Sequence, residues 1–116
     1  MIIAARLRAT AKLADTEKKC KELGEKILVV TSSAIPGKEL DIIGVVSGVS
    51  DTAASFGEEF KLAEKEALYN LMNRALELGA NGVVDLKMST GSYQQQGSQW
   101  MVSKVTYTGT AVLIKR

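Results

Sequence analysis

The segment from Glu58 to Leu78 constrains this chain more than any other. It contains neither proline nor glycine, it is rich in strong helix formers, and Gly79 follows it where a left-handed C-terminal cap belongs. The spacing predicts one long helix. At 100° per residue from Phe60, only Glu66, Asn70, Asn73 and Glu77 form an unbroken polar stripe, roughly 60° wide. Most of the remaining circumference is apolar and falls into two ridges. Ala63, Ala67, Leu71, Ala75 and Leu78 make the first; Leu68, Met72 and Leu76, with Tyr69, make the second. A helix resting on one sheet needs an apolar stripe of only about 100°, so the second ridge requires a cover of its own. An additional helix of the same chain or a neighbouring subunit would serve, and periodicity leaves both open. If a subunit does it, Leu68, Met72 and Leu76 are the interface.

The elements around this helix follow from local chemistry. From Ile3 to Gly24 there is no proline and no β-branched run, and Ala9, Leu13, Thr16, Cys20 and Leu23 step by three and four, the spacing of a narrow helical seam. Ile27–Thr31 and Ile42–Ser47 are β-branched runs with a Pro36-Gly37-Lys38 turn between them. Ser55 stands where it can cap the long helix. Gly82–Thr90 alternates, with Val84, Leu86 and Met88 on one face and Val83, Asp85 and Lys87 on the other. A polar loop, Gly91 to Gln99, precedes a β run from Met101 to Lys115, in which Thr106, Thr108 and Thr110 share a face and Gly109 marks a bulge or close approach. The expected fold class is α+β: an antiparallel sheet of about four strands in the order β-β-α-β-β, one long helix packed on it, and an additional N-terminal helix.

Composition narrows the chemistry. With 116 residues there is one domain's worth of chain. The absence of histidine removes the common proton shuttle, serine-histidine and cysteine-histidine catalysis, and His-ligated zinc within a single chain. No pair of carboxylates stands at a spacing that defines an acid and a base, so the chain reads as a non-enzyme with no catalytic residue to name. The net charge of +2 is too small for a dedicated nucleic-acid binder. It is also uneven: residues 1–26 carry seven basic and four acidic side chains, net +3, and the remainder is net −1. A basic leading helix could serve a regulatory or scaffolding module that contacts another protein, an acidic surface or nucleic acid. No run reaches the length of a membrane span or signal peptide, so the expected address is the cytoplasm.

Candidate ligands for a metal ion are few. Cys20 is the single soft ligand, and its place on the apolar seam suits a buried structural thiol. Asp41, Asp51, Glu58, Glu59 and Asp85 are hard oxygen ligands that a symmetric oligomer could repeat around an axis, Asp41 and Asp51 being the candidates beside Cys20 for a divalent ion. The helix-opening pair Glu58 and Glu59 equally suits the helix dipole. Ile35-Pro36-Gly37-Lys38-Glu39 lacks the glycine spacing and hydroxyl of a phosphate loop and reads as a turn. Tyr93 and Trp100 flank the glutamine-rich loop, where cross-strand pairing is the ordinary use of aromatics.

Five short stretches together carry a resemblance: Gly44-Val45-Val46-Ser47-Gly48; Ala63 with Glu66-Ala67-Leu68; Leu78-Gly79-Ala80-Asn81-Gly82-Val83-Val84; Met101-Val102; and Thr108-Gly109-Thr110-Ala111-Val112. In this order they resemble the YbjQ-like family of small prokaryotic proteins over residues 27–116, leaving residues 1–26 as a helical extension. The resemblance implies a dodecin-subunit-like α+β fold, assembly into a homopentamer, and a heavy-metal-binding label. It brings no catalytic residues. Against the family pattern this chain is shorter between Gly48 and Phe56, and it adds residues 1–26.

Overall fold

The computed structural model describes residues 2–54, 57–94 and 101–115, with side chains over 8, 10–54, 57–91 and 103–115. In chain order the elements are α1 (Ile2–Gly24), β1 (Leu28–Val29), β2 (Glu39–Val49), α2 (Gly57–Glu77), β3 (Gly82–Gln94) and β4 (Met101–Lys115). They build an α+β fold in which a four-stranded sheet of order β1-β3-β4-β2 carries α2 on one face, and α1 lies on α2.

Helix α2 begins with Glu58 and Glu59 in its first turn, where carboxylates favour the helix dipole. It ends in a Schellman motif: Gly79 takes φ +85°, its N–H donates to the Leu76 carbonyl at 3.0 Å, and the Ala80 N–H donates to the Ala75 carbonyl at 3.0 Å. The first ridge then meets the sheet at very short range. Ala63, Ala67, Leu71 and Ala75 are fully buried, and a Cβ at Gly48 of β2 would collide with the Ala67 carbonyl oxygen and the Leu71 amide nitrogen. Small residues on both sides bring helix and strand backbones together. Val83, Ala111 and Val46 of the sheet complete this core with Ile27, Met72 and Ala80.

The second ridge is covered by the chain itself. Cys20 and Leu23 of α1 pack half-buried against the same core as Leu68 and Leu76, and Met72 is buried. Lys19 Nζ sits 5.9 Å from the centre of the Tyr69 ring. Of the two covers that periodicity leaves open, the chain's own helix of 23 residues lies over this ridge.

Three expectations change. First, β1 does not form a hairpin with β2. It pairs in parallel with β3, Leu28 opposite Gly82, at the far edge of the sheet, so only the β2-β4-β3 portion is antiparallel. The nine residues between β1 and β2, 30–38, are too many for a tight turn. Right-handed crossover puts that connection on the face opposite α2. There Val84 and Val112, whose alternation turns them away from α2, are nonetheless buried.

Second, β3 does not alternate throughout. A bulge between Val84 and Lys87 places Asp85 at φ +56°, a left-handed conformation that aspartate tolerates better than most residues. The bulge reverses the pattern, so Leu86 packs on the α2-side core together with Val83 rather than with Val84. Opposite it stands Gly109, where a Cβ would lie 2.6 Å from Val83 Cγ1. The close approach expected at this glycine is there, and the bulge is its cause.

Third, β3 continues beyond Thr90 to Gln94, pairing Tyr93 with Val102. Once the ladder with β4 is in register, backbone hydrogen bonds carry it through polar residues that alone suggest a loop. The Ser55 cap, Trp100 and residues 95–99 of the polar loop lie outside the described residues, as does the side chain of Tyr93.

Candidate functional site

The edge strand β2 and the polar stripe of α2 border an open surface of the chain. β2 pairs with β4 on one side and is an edge of the sheet among the described residues. Its register sets Ile42 opposite Val112, Val45 opposite Thr110 and Val49 opposite Thr106, all on the face away from α2. Ile42 is 76% exposed and Val45 79%, extreme values for β-branched apolar side chains. Between this edge and α2 lies a groove of about 550 Å³ lined by residues 45–49 together with Asn70, Asn73, Arg74 and Glu77. An 11-residue edge strand with apolar side chains in water is a template for another strand.

The stripe that sequence periodicity picks out on α2 is spent on holding the chain. Glu66 Oε1 accepts from the Thr52 amide at 2.9 Å, and Asn70 Nδ2 donates to the Val49 carbonyl at 2.8 Å, so both fasten the exit of β2 to the helix. Arg74 and Glu77 pair at 3.2 Å on the exposed surface. Downstream of β2, buried Ser50 accepts from the Val105 amide at 3.1 Å and donates to the Thr52 carbonyl at 2.9 Å. Ala54 then bridges to Ser103 in both directions. A satisfied buried serine costs little where an unpaired one would cost about 1–3 kcal/mol.

The three candidate metal ligands do not converge. Cys20 sits between α1 and α2, where its thiol donates to the Lys65 carbonyl at 3.4 Å. Burial pushes its pKa above the ordinary value; the neighbouring Lys65 charge pulls it back in part, and Glu17 adds to the rise. Thiolate is the form that binds metal, so this environment disfavours ligation by Cys20 in an isolated chain. Asp41, at the start of β2, is exposed and pairs with Lys115 at 3.2 Å. Asp51 shares a cleft of about 140 Å³ with Thr16, Lys19, Glu66, Tyr69 and Asn70. Among the described residues no three Cys, Asp or Glu side chains come together. Asp85 is taken up by the bulge, and Glu58 and Glu59 by the start of α2.

The stretches that carry the family resemblance have structural explanations instead. Gly79 forms the helix cap, Ala80 is buried beneath it, and Asn81 reaches across to β4, its Oδ1 accepting from the Ile114 amide at 2.6 Å and its Nδ2 donating to the Ile114 carbonyl at 3.3 Å. A Cβ at Gly82 would come 2.8 Å from Ile114 Cδ1, so that side chain would have to shift. Gly48 and Gly109 answer the close approaches already described. What sequence reasoning missed is the β2 edge. The signal was present in Ile42-Ile43-Gly44-Val45-Val46, where a bulge at Ile43 turns Ile42 and Val45 to the same face although they are three residues apart.

A family model described as "Putative heavy-metal-binding" matches residues 49–115, more than half of the chain. The UPF0145 protein of Lactobacillus johnsonii is 34% identical over 109 residues, an alignment that takes in 78% of this chain and 96% of that protein. The chain belongs to the YbjQ-like, or UPF0145, family. Another UPF0145 protein, from Clostridium kluyveri, is 30% identical over 109 residues, covering 77% of this chain and 100% of the relative. A crystal structure of a protein of unknown function from Pediococcus pentosaceus, assigned to the DUF74 family, is similar at a TM-score of 0.58 and 19% identity, covering 77% of this chain and 98% of that one. The structural likeness supports the YbjQ-like fold. The family's members carry uncharacterised names, and the family-model match lies wholly C-terminal to α1. No helix among the described residues is long and apolar enough to cross a membrane.

Proposed function

We propose that this chain is a non-enzymatic, cytoplasmic homo-oligomer that binds a heavy-metal ion or small ligand at a place built from several copies. The observation that carries this reading is the β2 edge: eleven residues of strand with Ile42 and Val45 more than three-quarters exposed. Burying two such side chains gives about 3–6 kcal/mol of gross apolar transfer, and a strand added at the edge satisfies the backbone groups beside them. The pentameric state is what the YbjQ-like resemblance implies. We move the contact from Leu68, Met72 and Leu76, which α1 covers, to β2.

The metal clause follows from the family description combined with composition. With one cysteine and no histidine, a chain offers one thiolate and no imidazole, so a closed site built from such ligands requires repetition around an axis. The exposed carboxylates Asp41 and Asp51 are the hard alternatives. Native mass spectrometry of the wild type tests both clauses together, and the expected result is a multiple of the 12.5 kDa chain with fewer ions than chains. Val45→Lys should lower the copy number at unchanged helix content. A single-chain particle at 100 micromolar would end the assembly reading, and absence of saturable Zn²⁺, Cu²⁺ or Cd²⁺ binding in calorimetry would end the metal clause.

A further inference from the structure

The two flanks of α1 meet opposite electrostatics. On one flank Lys19 shares the cleft of about 140 Å³ with Asp51 and Glu66, and it pairs with Asp15 at 3.3 Å. Its charge is answered. On the other flank a groove of about 560 Å³ between α1 and α2 is lined by Ala14, Glu17, Lys18, Cys20 and Lys21 of α1 and by Lys65 of α2. Three ammonium groups meet one carboxylate there. Glu17 stands one turn before Lys21, the spacing at which helical ion pairs form. Yet among the described residues none of the three lysines lies within ion-pair distance of a carboxylate.

Like charges gathered on two packed helices cost stability until an anion answers them. The lining narrows which anion. It includes no aromatic ring on which a base could stack and no arginine fork for bidentate recognition of a carboxylate. Lysines act as point charges on flexible stems, a form of binding that suits phosphate oxygens. The small side chains of Ala14 and Cys20 leave the space between the ammonium groups open. The occupant must therefore be narrow and must carry several negative charges close together.

We infer that this groove binds a short polyphosphate chain, free or as the phosphate end of a nucleotide, through Lys18, Lys21 and Lys65. A phosphate chain concentrates its charges on successive groups a few ångströms apart, whereas an acidic peptide spreads one carboxylate per residue on flexible stems. α1 stays in place, since it supplies one wall of the site. The site uses neither the β2 edge nor a metal ion, so it stands or falls apart from the assembly reading.

The test is calorimetry of the full-length chain in low-salt buffer passed over a chelating resin, with sodium tripolyphosphate, orthophosphate, ATP and adenosine as probes. Tripolyphosphate and ATP should each saturate at one per chain, orthophosphate should bind about ten-fold more weakly, and adenosine should not bind. The tighter of the first two names the source: tripolyphosphate the free chain, ATP the nucleotide. Lys18→Gln and Lys65→Gln should each weaken tripolyphosphate about three- to five-fold, the scale of one exposed ion pair. Lys87→Gln removes the same charge from the exposed surface of β3, outside the groove, and should change binding by less than about two-fold. Bound tripolyphosphate should also slow alkylation of Cys20 by neutral iodoacetamide about three-fold, because the thiol lines the groove. No saturation by either chain probe at millimolar concentration would overturn the inference. Equal weakening by Lys87→Gln and Lys65→Gln, or unchanged alkylation of Cys20, would overturn it by showing attraction to net charge alone. Binding of adenosine, or tighter binding of a glutamate-rich peptide than of tripolyphosphate, would overturn it as well.

Discussion

Helix α2 is covered on two sides, and the covers are of different kinds. On the sheet side Ala63, Ala67, Leu71 and Ala75 are fully buried, with backbone pressed against backbone at Gly48. On the other side Leu68 and Leu76 are only half-buried, and the helix over them has no buried side chain among those described. Small residues allow close approach and make a contact that nothing else fits. Large residues under a narrow seam make a contact that another helix could replace. One face of α2 is therefore closed by backbone contact, while the other is closed only by the half-buried seam of α1.

The sharpest way to break this contrast is to add volume on the committed side. Gly48→Val should cost about 3 kcal/mol or more, because the groups it meets are the Ala67 and Leu71 backbone and cannot swing aside. Urea unfolding showing a loss under 1 kcal/mol would mean that the strand and helix can part freely. Removing volume there is the companion test: Leu71→Ala should cost about 3 kcal/mol by the same measurement, within the range found for buried leucines. Asn81→Ala, which strands the Ile114 amide at the end of β4, should cost about 1–2 kcal/mol and leave the helix contacts alone. On the replaceable side Leu13→Ala should cost about 1 kcal/mol or less, since that side chain is already partly in water. If Leu13→Ala costs as much as Leu71→Ala, the two covers are equivalent and the contrast fails.

The smallest expected effect is on pH dependence. Burial raises the pKa of Cys20 above 9.0 and that of Tyr107 above 10.0, with Glu64 adding to the rise at Tyr107. Each group is therefore neutral in the folded state over a range where the unfolded chain would ionise. Folded stability from this source is complete below about pH 9 and is lost as pH rises through the folded values. The melting temperature should decline above pH 9, and Cys20→Ala should make the onset of that decline later. An unchanged onset would show that Tyr107 alone accounts for it.

Much of this architecture was legible in the residues because it depends on local chemistry. The bounds of both helices, the glycine cap at Gly79 and the last strand from Met101 to Lys115 follow from propensity, periodicity and capping. Gly109 was legible as a close approach, although not as the partner of a bulge. The parallel β1–β3 pairing was hidden, since a two-residue strand carries no pattern of its own and its partner is more than 50 residues away. The reversal of faces at Asp85 was hidden for a related reason: alternation is a rule for unbroken ladders, and one residue in a left-handed conformation cancels it. Of the candidate site, the residue types were legible and their distances were not. Cys20, Asp41 and Asp51 could be named as ligands, but only folding could place one between helices, one against Lys115 and one in a cleft beside Glu66.

The residues by themselves determined that α2 needs two covers, because the angular width of an apolar surface is fixed by helix geometry and side-chain chemistry alone. They also determined that a single chain brings one thiol and no imidazole. Which surface covers which ridge was decided by tertiary structure. Several apolar partners satisfy the same area requirement about equally well, and the choice among them rests on the path of the backbone: α1 leads directly into β1 at the end of the sheet where α2 finishes, and so is carried alongside it.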